Sequence, residues 1–204
     1  MIAIVDYGMG NLRSVQKAFE KVGAEAVISS DSSLFSKATA LIFPGQGSFP
    51  DAMNILTRQK LIEPLREWVR EDKPFLGICL GLQLLFDASE EGDAKEGLCS
   101  FKGKVVKFAP RGKIPHMGWN TIDISGKGKE CPLFKDIPEN SFFYFVHSYY
   151  VVPSDKSIVA ATTQYINKFT SIIWQGNVYA MQFHPEKSQD RGLSIIKTFC
   201  DMYA

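Results

Sequence analysis

Paired cysteines are absent from this chain: the four it has, at 79, 99, 131 and 200, stand apart with no C-x-x-C spacing. That excludes a zinc ribbon and argues against a disulfide framework. No apolar run approaches the ~20 residues that a bilayer span requires. Neither sign of charge dominates, because 23 Lys and Arg offset 22 Asp and Glu, and nothing points to nucleic-acid binding. Histidine is scarce, with three in 204 residues, and these offer no ligand spacing with Cys79, so no metal is expected. Nucleotide signatures also fail. No Walker sequence occurs, and Gly8-Met9-Gly10 leads to Arg13 where a dinucleotide fingerprint needs its third glycine. No cofactor is expected. The opening Met1-Ile2-Ala3-Ile4-Val5-Asp6-Tyr7 is too short, and acidic too early, for a secretory leader. It reads as a first strand, and a cytoplasmic location is the default.

What is present suffices for one core: 45% of the residues are hydrophobic, and residues 1–204 are expected to form a single domain. Strand-like and helix-like runs alternate in the first half: strand 2–7, helix 12–22, strand 26–28, strand 40–43, helix 61–71, strand 75–78. Within the first helix Leu12, Val15, Ala18, Phe19 and Val22 make one apolar stripe behind Asn11, a good N-cap. This order predicts crossover units on a parallel sheet. From Gly103 the runs become short and β-rich (104–108, 120–124, 142–146, 158–163, 171–175, 178–183) and are expected to extend the same sheet with antiparallel strands. A helix with Leu193, Ile196, Phe199 and Tyr203 on one side closes the chain. The expected fold is α/β, a three-layer sandwich.

One thiol stands out. Cys79 lies in Phe75-Leu76-Gly77-Ile78-Cys79-Leu80-Gly81-Leu82-Gln83, where a buried strand gives way to a helix-like run, with glycine two before and two after. This is the cysteine form of a nucleophile elbow, and the glycines remove side chains that would collide in its tight turn. An ordinary thiol is only ~3% ionised at neutral pH, and free N–H groups at the following helix would favour the thiolate. The base must come from His116, His147 or His184, each of which has an ordinary structural reading. His184 is singled out because it follows a strand and precedes Pro185, which holds it extended. Glu186, two residues on, then projects to the same side and can orient the ring. His116 sits in a loop, Pro115-His116-Met117-Gly118-Trp119-Asn120, and His147 beside Ser148 and Tyr149. For an oxyanion, the N–H of Leu80 follows the nucleophile, and Pro44-Gly45-Gln46-Gly47 offers a second backbone N–H at Gly45.

Gly77-Ile78-Cys79-Leu80-Gly81 with His184-Pro185-Glu186 resembles the class I glutamine amidotransferase pattern. The stretches 4–14, 115–120 and 143–149 resemble, more narrowly, the glutaminase subunits of imidazole glycerol phosphate synthases. The resemblance spans the chain and implies a flavodoxin-like architecture. It implies that Cys79 attacks the amide of L-glutamine, His184 protonates the departing ammonia and Glu186 orients His184. By position it assigns Gln83, Glu91, His147, Ser148 and Tyr149 to glutamine binding. It assigns Asn11, Trp119, Tyr144 and Lys187 to the interface with a (β/α)8 cyclase subunit, in a heterodimer serving histidine biosynthesis. It also implies a loop at Gly45 that turns its N–H away until the cyclase binds nucleotide. One departure is Gln46, where the family often has Val. The rival readings are a glutaminase serving another synthase, a stand-alone cysteine amide hydrolase and a non-catalytic subunit.

Overall fold

Apolar side chains point to both sides of the first strand, so the sheet it founds must be covered on both faces. The computed structural model describes residues 1–92, 96–124 and 126–204. The first half runs β1 (Ile2–Val5), α1 (Leu12–Lys21), β2 (Ala26–Ser29), α2 (Ser32–Phe35), β3 (Ala40–Gly45), α3 (Phe49–Arg58), α4 (Ile62–Arg70), β4 (Phe75–Cys79) and α5 (Leu80–Gln83). The second half adds β5 (Phe86–Ser89), β6 (Phe101–Lys107), β7 (His116–Thr121), β8 (Asp123–Ile124), β9 (Phe142–His147), β10 (Tyr149–Pro153), β11 (Val159–Gln164), β12 (Lys168–Gln175), β13 (Val178–Met181) and α6 (Gln189–Tyr203).

The main sheet has the order β2-β1-β3-β4-β13-β12-β11-β8. Its pairings are parallel from β2 to β13 and antiparallel from β13 to β8. The expected α/β sandwich is therefore observed. Ile2, Ile4, Ile42, Leu76 and Ile78 pack on one face with Val15 and Phe19 of α1 and Ile196 and Phe199 of α6. Ala3, Val5, Leu41, Phe43 and Phe75 pack on the other with Leu56 of α3 and Leu65 and Trp68 of α4. Each fully buried Leu or Phe contributes roughly 1.5–3 kcal/mol relative to exposure.

Several details depart from the sequence reading. The helix after Cys79 is one turn long, and the chain re-enters a strand at Phe86. Leu84 and Leu85 are buried, but in the link to β5 rather than on a helical stripe. The β-rich second half does not all join the main sheet: β10-β6-β5 form a three-stranded sheet and β7-β9 a two-stranded ribbon. His116, expected in a loop, opens β7 and faces His147 across that ribbon. The single strand expected at 120–124 is split at Ile122 between ribbon and main sheet. Helix α3 was not anticipated, although its signals are local: Ser48 Oγ accepts from Asp51 N at 3.3 Å, and Pro50 occupies the first turn.

Candidate active site

The site gathers at the carboxyl ends of β3, β4 and β13, three neighbours in the parallel part of the sheet, where open α/β sheets place their ligands. Cys79 ends β4 with φ 54° and ψ −106°, a strained conformation for a residue with a side chain. Two glycines permit the bend by their emptiness. A methyl on Gly81 would overlap the Phe43 carbonyl, and one on Gly77 would come within 2.9 Å of Ala180 Cβ. Because α5 is a single turn, the thiol there gains free backbone N–H groups and little macrodipole.

Gly45 is the register partner of Cys79 in the β3–β4 ladder, and Leu80 follows Cys79 directly, so both expected oxyanion residues flank the sulfur. Glycine is required at 45 by space: an added Cβ would run into the Tyr7 hydroxyl and lie 2.9 Å from Leu80 Cβ. Tyr7 is fully buried, and its hydroxyl has no hydrogen-bond partner among the described residues. Burial first, then the charge of Cys79, raise its pKa.

His184 Nδ1 and Glu186 Oε1 are 2.8 Å apart, and both side chains are almost wholly buried. Their meeting has a different origin from the one expected. Residues Pro185–Lys187 form a 3-10 turn, not an extended segment, and it is this turn that brings the carboxylate back to the ring. The turn is held in place by Ser188 Oγ, which donates to the His184 carbonyl at 2.6 Å and accepts from Tyr144 N at 2.9 Å. His184 Nε2 is buried with no aligned hydrogen-bond partner among the described residues. Burial acts to lower the His184 pKa, but it is outweighed by the charge and contact of Cys79 and by Glu186, which together raise it to about 10. That direction favours the protonated ring.

The other two histidines are the opposite case. Burial lowers His116 to about 4. Burial, followed by the charges of His116 and His184 and partly opposed by the bond to Tyr149, lowers His147 to about 3. Their nitrogens are already committed. His147 Nδ1 donates to the Tyr149 carbonyl at 2.8 Å, leaving Nε2 to accept from His116 Nδ1 at 3.0 Å. His116 Nε2 in turn accepts from Asn120 Nδ2 at 3.2 Å. Of the three histidines, His184 alone has its pKa raised.

A cleft of about 420 Å³ opens over the thiol, lined by Gln83, Glu91, His147, Ser148, Tyr149 and, at its edge, Lys187, with Tyr144 also on its wall. A larger groove of about 620 Å³ beside α3 and α4 lies away from this machinery, and the described residues lining it include neither cysteine nor histidine. Glu91 Oε2 accepts from Phe49 N at 2.8 Å, at the start of α3. Glu90 is turned elsewhere, accepting from Lys107 N at 3.2 Å, which separates the two adjacent acids. Asn11 is exposed and caps α1 through Ser14 N. Trp119 and Tyr144 face each other across the ribbon, ring centroids 6.0 Å apart. Around them Met117, Trp119 and Phe142 are about half exposed, an unusual apolar surface. Lys187 has no ion-pair partner among the described residues.

The sequence reading missed Gln182. It is fully buried, and its Nε2 lies 3.6 Å from Cys79 Sγ. The signal was available only in part: the strand expected at 178–183 would put Gln182 on the side of His184 by its period of two, but β13 ends at Met181 and the chain bends at 182–183.

In Cys79→Ala, the largest influence raising His184 is removed while burial remains, so its pKa is expected to fall from about 10 toward the ordinary 6.5. Imidazole ¹⁵N shifts followed through a pH titration measure this. A His184 still titrating near 10 in the variant would refute the pairing.

An elbow cysteine beside a buried imidazolium–carboxylate pair, with glycine-borne N–H groups alongside, is equipped for cleavage of an amide through a thioester. Comparison with known proteins agrees with that class. The family model for glutamine amidotransferase class-I matches residues 3–202. The imidazole glycerol phosphate synthase subunit HisH of Syntrophotalea carbinolica is 51% identical, covering 99% of this chain and 100% of that one. HisH of Caldanaerobacter subterraneus subsp. tengcongensis is 48% identical, covering 99% and 98%. Among solved structures, PurLQS from Thermotoga maritima superimposes with a TM-score of 0.77 at 18% identity, covering 98% of this chain and 97% of that one. A glutamine amidotransferase gives 0.71 at 20%, covering 98% and 100%. These two speak for the fold. The chain belongs to the class-I glutamine amidotransferase family and, within it, to the HisH subunits of imidazole glycerol phosphate synthase.

Proposed function

We propose that this enzyme hydrolyses L-glutamine to glutamate and ammonia with Cys79, His184 and Glu186, and delivers the ammonia to a (β/α)8 cyclase subunit in histidine biosynthesis. The observation that carries the reading is the strained Cys79 lining one cleft with His184, whose ring is held by Glu186 at 2.8 Å. The Cys79 thiolate adds to the side-chain amide carbon, and the carbonyl electron pair moves onto oxygen. Backbone N–H groups of the Gly45 loop and Leu80 hold that oxyanion. His184 Nε2 gives its proton to the amide nitrogen, the C–N bond breaks, and ammonia leaves a γ-glutamyl thioester on Cys79. Water then attacks the thioester and yields its proton to His184. Collapse releases glutamate and restores the thiolate–imidazolium pair.

Glu91, on the cleft wall, suits the substrate ammonium, while Gln83, Ser148 and Tyr149 surround its remaining polar groups. His147 lines the same wall with both ring nitrogens occupied, so its part is to shape the pocket. The apolar ribbon around Trp119 and Tyr144, with Lys187 nearby and unpaired with any acid among the described residues, forms the docking face for the cyclase, and Asn11 adds a polar contact. Ammonia released in solution would become ammonium, so delivery across a sealed interface preserves its nucleophilicity.

The test is to measure ammonia release by the chain alone and together with the cyclase and its nucleotide. If one oxyanion N–H is turned away in the isolated chain, its rate should be lower by about 10²–10³-fold. Equal rates in the two states would dismiss the gating. Glutamine-dependent cyclisation failing where added ammonium succeeds, with wild-type chain present, would dismiss the delivery role.

A further inference from the structure

Two hydrogen-bond chains end on the Tyr149 carbonyl. His147 Nδ1 and Gln83 Nε2 both donate to it, the latter at 3.0 Å. A backbone carbonyl only accepts, so the nitrogen end of Gln83 is fixed by it. That same Nε2 lies 3.1 Å from Gln182 Oε1, and the second amide hydrogen of Gln83 is spent there. Gln182 must therefore turn its oxygen toward Gln83 and its NH2 the other way, where the acceptor is Cys79 Sγ at 3.6 Å. The backbone is fixed as well, by Gln182 N donating to the Ser171 carbonyl at 2.8 Å. The amide is thus polarised and aimed before any substrate arrives.

We propose that Gln182 is a catalytic residue of this site, a neutral hydrogen-bond donor to the Cys79 sulfur that acts alongside the charge of His184 and is held in orientation by Gln83. The inference rests on Cys79 being the nucleophile. Its chemistry follows the charge on sulfur. The bond is strongest to the thiolate, weakens when the S–C bond of the thioester forms, and is regained as that bond breaks and the electron pair returns to sulfur. Gln182 so favours both the resting thiolate and its departure in the hydrolytic half of the cycle. A neutral donor is suited to this place. A second cation would compete with the imidazolium for the same lone pairs, and a carboxylate would repel the thiolate.

The experiment uses Gln182→Leu and Gln182→Glu in the complex with the cyclase, with co-purification in the wild-type ratio and an unchanged urea-unfolding midpoint as the signs of intact assembly and folding. The pH profile of Cys79 alkylation by iodoacetamide, located by peptide mass, is expected to move to higher pH in both variants and further in Gln182→Glu. Glutamine kcat at pH 7 should fall by about 10- to 100-fold, the worth of one hydrogen bond to a charged group, with KM little changed. A Gln182→Leu chain that folds, keeps the wild-type alkylation profile and stays within twofold in kcat overturns the proposal. Should both variants fail to fold, the wild type still decides: the Gln182 side-chain amide resonance must move when Cys79 is alkylated, and an unmoved resonance overturns it. Failure of the underlying reading looks different, as wild-type Cys79 that resists alkylation at every pH and is dispensable for turnover.

Discussion

Cys79→Ala is expected to lower glutamine-dependent turnover by about 10⁴-fold or more while ammonia-dependent cyclisation by the complex proceeds at the wild-type rate. The magnitude follows from the reaction, because without the sulfur no thioester forms, and neither His184 nor the oxyanion N–H groups has a nucleophile to assist. The selectivity follows from position. Cys79 is buried under the cleft at the end of β4, in the interior of the sheet, and removing one sulfur atom leaves the exposed Met117, Trp119 and Phe142 surface untouched. A steady-state assay with glutamine and with ammonium salt as alternative donors makes the comparison. Substantial glutamine-dependent turnover in the variant would eliminate Cys79 as nucleophile, and with it the role drawn for Gln182.

Gly81→Ala should be among the most damaging single methyls in the described residues. The new Cβ would occupy the space of the Phe43 carbonyl oxygen, which belongs to β3 in the interior of the main sheet and has no side-chain rotamer to relieve the clash. A cost of about 4 kcal/mol or more is expected, at the extreme of single substitutions, read as a lowered midpoint in urea unfolding. Gly23→Ala is the control. Gly23 has φ +89° with nothing within 4 Å of an added methyl, so only the left-handed backbone is penalised, at roughly 1 kcal/mol. Equal, small losses in both variants would mean that the elbow can open without cost, and the strain assigned to Cys79 would have to be abandoned.

The two variants separate what was legible in the chain from what was not. The glycines around Cys79 could be read directly, because a strand, a turn and a bulky following residue within five positions leave few conformations. His184 and Glu186 were legible as a pair, yet the reason for their meeting differs from the one expected: Pro185 starts a turn that brings the carboxylate back to the ring. Helix α3 carried its cap in plain view. The division of the β-rich half was not readable, because short alternating runs look alike whichever sheet accepts them. The neutrality of His147 was hidden for a related reason, since His116 lies 31 residues away and only the β7–β9 register sets them side by side.

The amino-acid order alone determined the parallel half of the sheet, the bend at the thiol and the residue types available for acid, base and oxyanion. These depend on interactions within a few residues, where sterics and side-chain period leave little choice. Which histidine keeps its proton, which amide faces the sulfur and which of two adjacent acids reaches the cleft were decided by tertiary structure. Each depends on burial and on partners contributed by distant strands, and the free energy of a charge or a hydrogen bond is set by that surrounding.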